Sequence, residues 1–293
     1  MKKLNGNKIA EEYRSELKEE ISELKDQGVN PTIAPVLVGD DPGAKVYYRT
    51  KKRLAEDLGI NYDGAKLDAD ISKKDLVGKI RELNGDPTVH GLFVELPLPE
   101  NLGIGELRTE IDPKKDIDCI NPINSGKLLS GGAFRASYDD LKNDPEALLP
   151  ATPYAVMEIL DYSGIDLEGT EFVVVGGGAV GLPLSMLALR KGYSAVTICE
   201  YQTEDLPEKT RQADILCSSV GKIDFITEDM VSEGAVVVDI GINEVEGGIT
   251  GDVDYENVKE KADYITPVPG GVGPMTTTLI MANTVKAAKL LTS

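Results

Sequence analysis

The chain has 293 residues, 41% hydrophobic and 28% charged, which is material for two ordinary domains and the profile of a globular protein rather than a disordered one. Its 50 acidic against 31 basic side chains leave a net charge of −19, which excludes nucleic acid as a partner, because phosphate-backbone binding needs clustered Lys and Arg. No apolar run approaches the ~20 residues that span a bilayer, and none follows the two N-terminal lysines, so no membrane partner and no secretory leader are expected and the cytoplasm is the expected location.

Apolar positions Ile9, Tyr13, Leu17, Ile21 and Leu24 recur every three or four residues and predict an amphipathic helix ended by Gly28 and Pro31. Ile33–Gly39 reads as a buried strand, followed by helices over about Gly43–Leu58 and Lys73–Asn84. Gly91–Leu96 is a second buried strand, stopped by Pro97 and Pro99. Lys127–Pro150 lacks periodicity and reads as a surface excursion or linker. Thr152 and Pro153 then open a helix with Thr as cap and Pro in the first turn. Five short apolar strands follow, FVVVG, AVTICE, DILCSSVG, AVVVDIG and DYITPVPG, and Met275–Leu291 is a last helix. Strands alternating with helices imply an α/β protein with parallel sheet and right-handed crossovers.

Cys119, Cys199 and Cys217 are too scattered for a metal site or a disulfide framework and are read as buried free thiols. His90 is the single histidine, which excludes a multi-histidine metal site and argues against a Ser-His-Asp triad; a surface or strand-edge role is the reading preferred for it.

The most chemical motif is Gly176-x-Gly178-x-x-Gly181, entered from Val173–Val175 and followed by a helix. Alone the pattern is weak; between strand and helix it is a dinucleotide fingerprint, in which Gly176, Gly177, Gly178, Ala179, Val180 and Gly181 bring backbone close to a pyrophosphate at a helix N-terminus. Glu200 ends the next strand, 19 residues after Gly181. A carboxylate there accepts ribose hydroxyls and repels a 2′-phosphate, and no Arg occupies position 177 or the loop Tyr201–Thr203. NAD is therefore expected over NADP.

Several segments resemble one family, the methylenetetrahydrofolate dehydrogenase/cyclohydrolases. They are VGDDPGAKVYYRTKKR (38–53), DPTVHGLFVELPLP (86–99), DPKKDIDCINPIN (112–124), ATP (151–153), GDVDY (251–255) and TPVPGGVGPMT (266–276). The resemblance implies two α/β domains: residues 1–149 plus 271–293 for folate binding and catalysis, and 150–270 as a Rossmann-type domain with parallel sheet. It also implies a homodimer. On the family's YxxxK motif, Tyr47 stacks on the folate and Lys51 is the central catalytic group; Asp118 hydrogen-bonds the pterin, and Glu95 stands beside Lys51. Pro267, Gly270, Gly271 and Pro274 belong to its substrate side, and Val220, Gly221 and Ile242 to its dinucleotide side. The implied substrate is a one-carbon derivative of tetrahydrofolate, oxidised from methylene to methenyl and then hydrolysed to formyl. Tyr47 and Lys51 are four residues apart and share a helix face.

The sequence departs from the family pattern in three places. Glu95 stands where the family usually has Gln; a carboxylate beside Lys51 favours the ammonium and is expected to weaken the hydrolytic step while oxidation persists. The phosphate loop is one residue short and lacks its usual Arg. Ala44 and Cys119 replace a Ser and a Gly, changing bulk beside the presumed folate. Two alternatives stay open: a catalytically silent folate- or NAD-binding homologue, and a dehydrogenase of a modified pterin.

Overall fold

Polar caps and apolar stripes set the helices, and runs of β-branched residues set the strands. The computed structural model describes residues 2–130, 137–165 and 169–292. It begins β1 (Lys2–Lys3), α1 (Gly6–Asp26), β2 (Thr32–Val38), α2 (Pro42–Leu58), β3 (Asn61–Tyr62), β4 (Ala65–Leu67), α3 (Lys73–Gly85), β5 (Gly91–Val94), α4 (Ile104–Leu107), α5 (Pro122–Ser130), α6 (Tyr138–Asn143) and α7 (Ala151–Tyr162). It continues β6 (Glu171–Val175), α8 (Gly181–Lys191), β7 (Ala195–Cys199), α9 (Leu206–Thr210), β8 (Ile215–Ser218), β9 (Val236–Asp239), β10 (Asn243–Val245), β11 (Gly248–Thr250), α10 (Tyr255–Val258), β12 (Tyr264–Ile265) and α11 (Val272–Thr292).

The chain divides into two compact units. One comprises Glu12–Leu129, Lys142–Ala151 and Thr277–Ser293; the other comprises Met1–Glu11, Ser130–Leu141 and Thr152–Thr276. This differs from the expected assignment of residues 1–149 and 271–293 to one domain. The physical reason is β1, which pairs in parallel with β12 (Lys2 with Tyr264, Lys3 with Ile265) and so ties the first residues to the other sheet.

In the first of these units β2 is the central strand. It carries β3 and then β4 along its length and also pairs with β5, all in parallel. Every residue of β2 and β5 is buried, as expected of parallel strands covered on both faces. α2 is fixed at both ends. Asp41 accepts the Ala44 N–H at 2.8 Å, Pro42 sits in the first turn, and Gly59 closes the helix in the left-handed region with φ 84°. Its stripe Ala44, Tyr48, Leu54, Ala55 and Leu58 is buried. Ala44 therefore packs with Leu37 and Tyr48 in the core. Cys119 is likewise buried, its Sγ 3.2 Å from Leu148 O and its φ at 59°, a conformation that favours glycine.

The other unit holds a six-stranded sheet ordered β1-β12-β9-β8-β6-β7, parallel throughout. β6 pairs with both β7 and β8, so the chain reverses its direction of travel across the sheet at β6. The carboxyl end of such a strand is where ligands bind in open α/β sheets. α7 starts at Ala151, one residue earlier than expected, which puts Thr152 and Pro153 inside its first turn. Among the described residues no helix is long and apolar enough to cross a membrane.

The expected surface excursion at 127–150 is corrected by α6. Residues 131–136 lie outside the described residues, but Tyr138 is fully buried and its hydroxyl donates to Glu158 on α7. Burial first, then Asp161, push the Glu158 carboxyl from 4.5 up to about 8, against the pull of Lys191. Above pH 4.5 the unfolded chain releases this proton and the folded chain keeps it. Stability held below pH 4.5 is therefore lost progressively up to pH 8. Glu158→Gln removes that loss: in denaturant titrations at pH 5 and pH 8, the parent is expected to lose on the order of 2 kcal/mol more than the variant.

Candidate active site

α2 and β5 place the chemical groups of the Glu12–Leu129 unit. Tyr47 and Lys51 lie one turn apart at the border of the buried stripe of α2, and both are partly exposed. On β5 successive side chains alternate, so Phe93 and Glu95 share a face. Glu95 sits just past the strand end, where its N–H still donates to Val36 O at 2.9 Å. Lys51 Nζ meets that face, 2.7 Å from Glu95 Oε2 and 4.4 Å from the centre of the Phe93 ring. The Glu95 side chain is 3% exposed and that of Lys51 12%, so this is a buried ion pair. Glu95 Oε1 is buried without a hydrogen-bond partner among the described residues, an acceptor left over beside the lysine.

Asp118 reaches the same cluster because residues 115–117 run beside β5. Leu92 N–H donates to Lys115 O at 2.7 Å, and Asn283 of α11 donates to Ile117 O at 2.8 Å. Burial pushes the Glu95 carboxyl up, Lys51 pulls it down, and Asp118 pushes it up again. Burial also raises Asp118, against the pull of Lys51. Asp116, two residues earlier, caps the loop: it accepts the Ile120 and Asn121 N–H groups and the Asn124 amide. Lys115 is structural too, donating to Leu83 O, Asn84 O and Asp86 O where α3 ends. His90 is buried rather than on the surface; its Nδ1 accepts the Thr32 N–H at 3.2 Å at the start of β2.

In the other unit, Gly176–Gly181 forms the turn from β6 into α8, at the strand where the sheet order reverses. Gly176 has φ 102°. A Cβ on Gly181 would stand 1.8 Å from Gly176 O, so the turn closes only on glycine. Gly178 and Ala179 are exposed, and Val180 makes no side-chain cap at the N-terminus of α8, so this strand–glycine turn–helix start suits a pyrophosphate. The Glu200 carboxylate bends over Gly177, its Oε1 2.6 Å from where a Cβ would sit. These residues fit the adenosine half of a dinucleotide. Val220 and Gly221 follow β8, and Ile242, 45% exposed, follows β9. Lys222 was missed in the sequence: its Nζ lies 3.6 Å from the centre of the Tyr201 ring, next to Glu200 in the chain. Pro267, Gly270, Gly271 and Pro274 belong to this unit, not to the one that holds Lys51. Pro267–Gly271 form a tight turn in which Gly270 has φ 104° and a Cβ on Gly271 would meet Pro267 O at 2.6 Å, and Pro274 lies in the first turn of α11.

A Rossmann-type unit and an α/β unit with a buried lysine–carboxylate cluster define a dinucleotide-linked oxidoreductase. Residues 150–292 match the model of the tetrahydrofolate dehydrogenase/cyclohydrolase NAD(P)-binding domain, and residues 4–118 that of the corresponding catalytic domain. The bifunctional protein FolD 2 of Desulfitobacterium hafniense is 46% identical over 98% of this chain and 96% of its own. The bifunctional protein FolD of Bacillus subtilis is 43% identical over 98% and 97%. Among solved structures, the bifunctional FolD methylenetetrahydrofolate dehydrogenase/cyclohydrolase of Campylobacter jejuni has a TM-score of 0.91 at 39% identity, with 99% of each chain covered. The Trypanosoma brucei enzyme, solved with NADP and an inhibitor, has a TM-score of 0.88 at 30% identity over 98% and 96%. The chain belongs to the tetrahydrofolate dehydrogenase/cyclohydrolase family.

Two of the turn glycines that a Cβ would crowd differ in what stands in the way. Gly177→Ala meets the mobile end of Glu200 and should fold normally. Gly181→Ala meets a backbone carbonyl and should lower the melting temperature and abolish dinucleotide binding. Thermal melts with and without NAD or NADP check both outcomes.

Proposed function

We propose that this enzyme oxidises methylene-tetrahydrofolate to the methenyl form with NAD, and that the hydrolysis to formyl-tetrahydrofolate is slow in it. The observation that carries the reading is the buried Lys51–Glu95 pair at 2.7 Å. When bound, the dinucleotide takes up the hydride that leaves the methylene carbon. The neighbouring folate nitrogen stabilises the resulting cation, so oxidation asks the protein for orientation rather than for a base. Tyr47 supplies a ring for the folate to stack on, Asp118 an acceptor for its pterin, and Lys51 a cation that fixes the one-carbon end. Hydrolysis needs more: water adds to the methenyl carbon and a proton must leave it. A lysine that moves that proton must be free of a competing partner, and Glu95 Oε2 holds Lys51 Nζ at 2.7 Å.

The preference for NAD rests on Glu200, whose carboxylate lies over Gly177, where a 2′-phosphate would meet like charge. A second reading, NADP, is favoured by Lys222, the cation on the Tyr201 ring beside that acid. We also propose a cytoplasmic homodimer joined at β7, an edge strand with one neighbour in the sheet and with Ile198 39% exposed.

Steady-state assays with each dinucleotide separate the two readings. A higher kcat/KM with NAD is expected, and Glu200→Ala should raise kcat/KM for NADP by about tenfold. For the second step, Glu95→Gln should accelerate methenyl-tetrahydrofolate hydrolysis by about tenfold or more while oxidation stays nearly unchanged. Rapid hydrolysis by the parent chain would contradict the proposal.

A further inference from the structure

Two buried carboxylates of the Thr152–Thr276 segment have no part in the chemistry above. Asp239, at the end of β9, accepts the N–H groups of Gly241 at 3.0 Å, Asp252 at 2.9 Å and Val253 at 3.0 Å. It thereby pins the chain just after the β10–β11 hairpin to the end of the sheet. Asp252 is fully buried and turns towards the loop that follows β8. Its Oδ2 accepts the Val220 N–H at 2.7 Å, the Gly221 N–H at 3.3 Å and the Ser218 hydroxyl at 3.0 Å. Its Oδ1 accepts the Lys222 N–H at 2.9 Å and the Asn243 amide at 3.1 Å.

Three successive backbone N–H groups converging on one point form a nest for an anion. In this loop the nest is filled from within by Asp252. The same loop lies against the glycine turn: Ser219 N–H donates to Val175 O at 2.9 Å, and its hydroxyl donates to Gly176 O at 3.2 Å. A Cβ on Gly176 would come within 2.7 Å of Ser219 O, so the two loops have no slack between them. The room beside Gly241 is equally tight, since a Cβ there would stand 2.1 Å from Asp252 Oδ1.

We infer that Asp252 is a positioning residue for dinucleotide binding: by filling the nest at Val220–Lys222 it holds that loop against the glycine turn and leaves the N-terminus of α8 as the seat for the phosphates. The inference rests on the dinucleotide reading of Gly176–Gly181. Asp252→Asn keeps the shape and turns one acceptor into a donor that faces donors, so the loop should loosen.

The test titrates NAD and NADP into the parent and the variant by calorimetry. It also measures the KM for methylene-tetrahydrofolate at saturating dinucleotide, together with the melting temperature. A dinucleotide Kd raised about tenfold or more, with the folate KM within about twofold, supports the inference. A dinucleotide Kd within about twofold of the parent overturns it, as does an equal rise in both constants with a lowered melting temperature, which marks a merely structural residue. If Asp252→Asn does not fold, Ser218→Ala decides, because it removes a single donor: a dinucleotide Kd raised about threefold supports the inference and no change overturns it. A parent that binds neither dinucleotide overturns the functional reading and this inference together, whereas a parent that binds normally isolates the fate of Asp252.

Discussion

A lysine ammonium and a carboxylate buried side by side hold each other in place, because neither tolerates burial alone. Removing one partner of such a pair typically costs about 3–5 kcal/mol, mostly the charge left behind. In this protein the pair is Lys51 and Glu95, and much of its unit is arranged so that they meet. Asp41 and Gly59 fix both ends of α2, the buried stripe from Ala44 to Leu58 sets its rotation, and the two-residue period of β5 puts Glu95 and Phe93 beneath the lysine. Asp118 adds a second negative charge to the cluster. The unpartnered Oε1 of Glu95 leaves an acceptor next to the site where the chemistry is proposed.

The dinucleotide unit works by other means, with backbone rather than side-chain charge. Its sheet reverses order at β6, and the turn into α8 closes on glycines. Two buried carboxylates order the loops nearby: Asp252 takes up the donors of the loop after β8, and Asp239 those of Gly241, Asp252 and Val253. Each accepts at least three donors, mostly backbone N–H groups. A net charge of −19 is compatible with an anionic ligand that is held locally at the start of a helix.

Local pattern alone determined much of this. Helical periodicity marked α1, short apolar runs closed by turn residues marked β2, β5 and the core strands of the second sheet, and the spacing of Tyr47 and Lys51 put them on one helical face. The glycine turn was legible because only glycine tolerates its geometry. Only the tertiary structure decided which residues meet across distance. Ala44 turned out to be core, Asp116 took the loop-capping bonds, and Tyr138 was buried in a stretch that reads as polar linker. Lys222 came to Tyr201 from a different loop, and β1 joined a sheet some 260 residues away in the chain. Such pairings have no local signature, since they depend on which strand ends a sheet brings side by side. The Lys51–Glu95 contact belongs to both kinds: its members were visible in the sequence, and its burial, which gives the pair its chemical weight, came from the packing of α2 on β5.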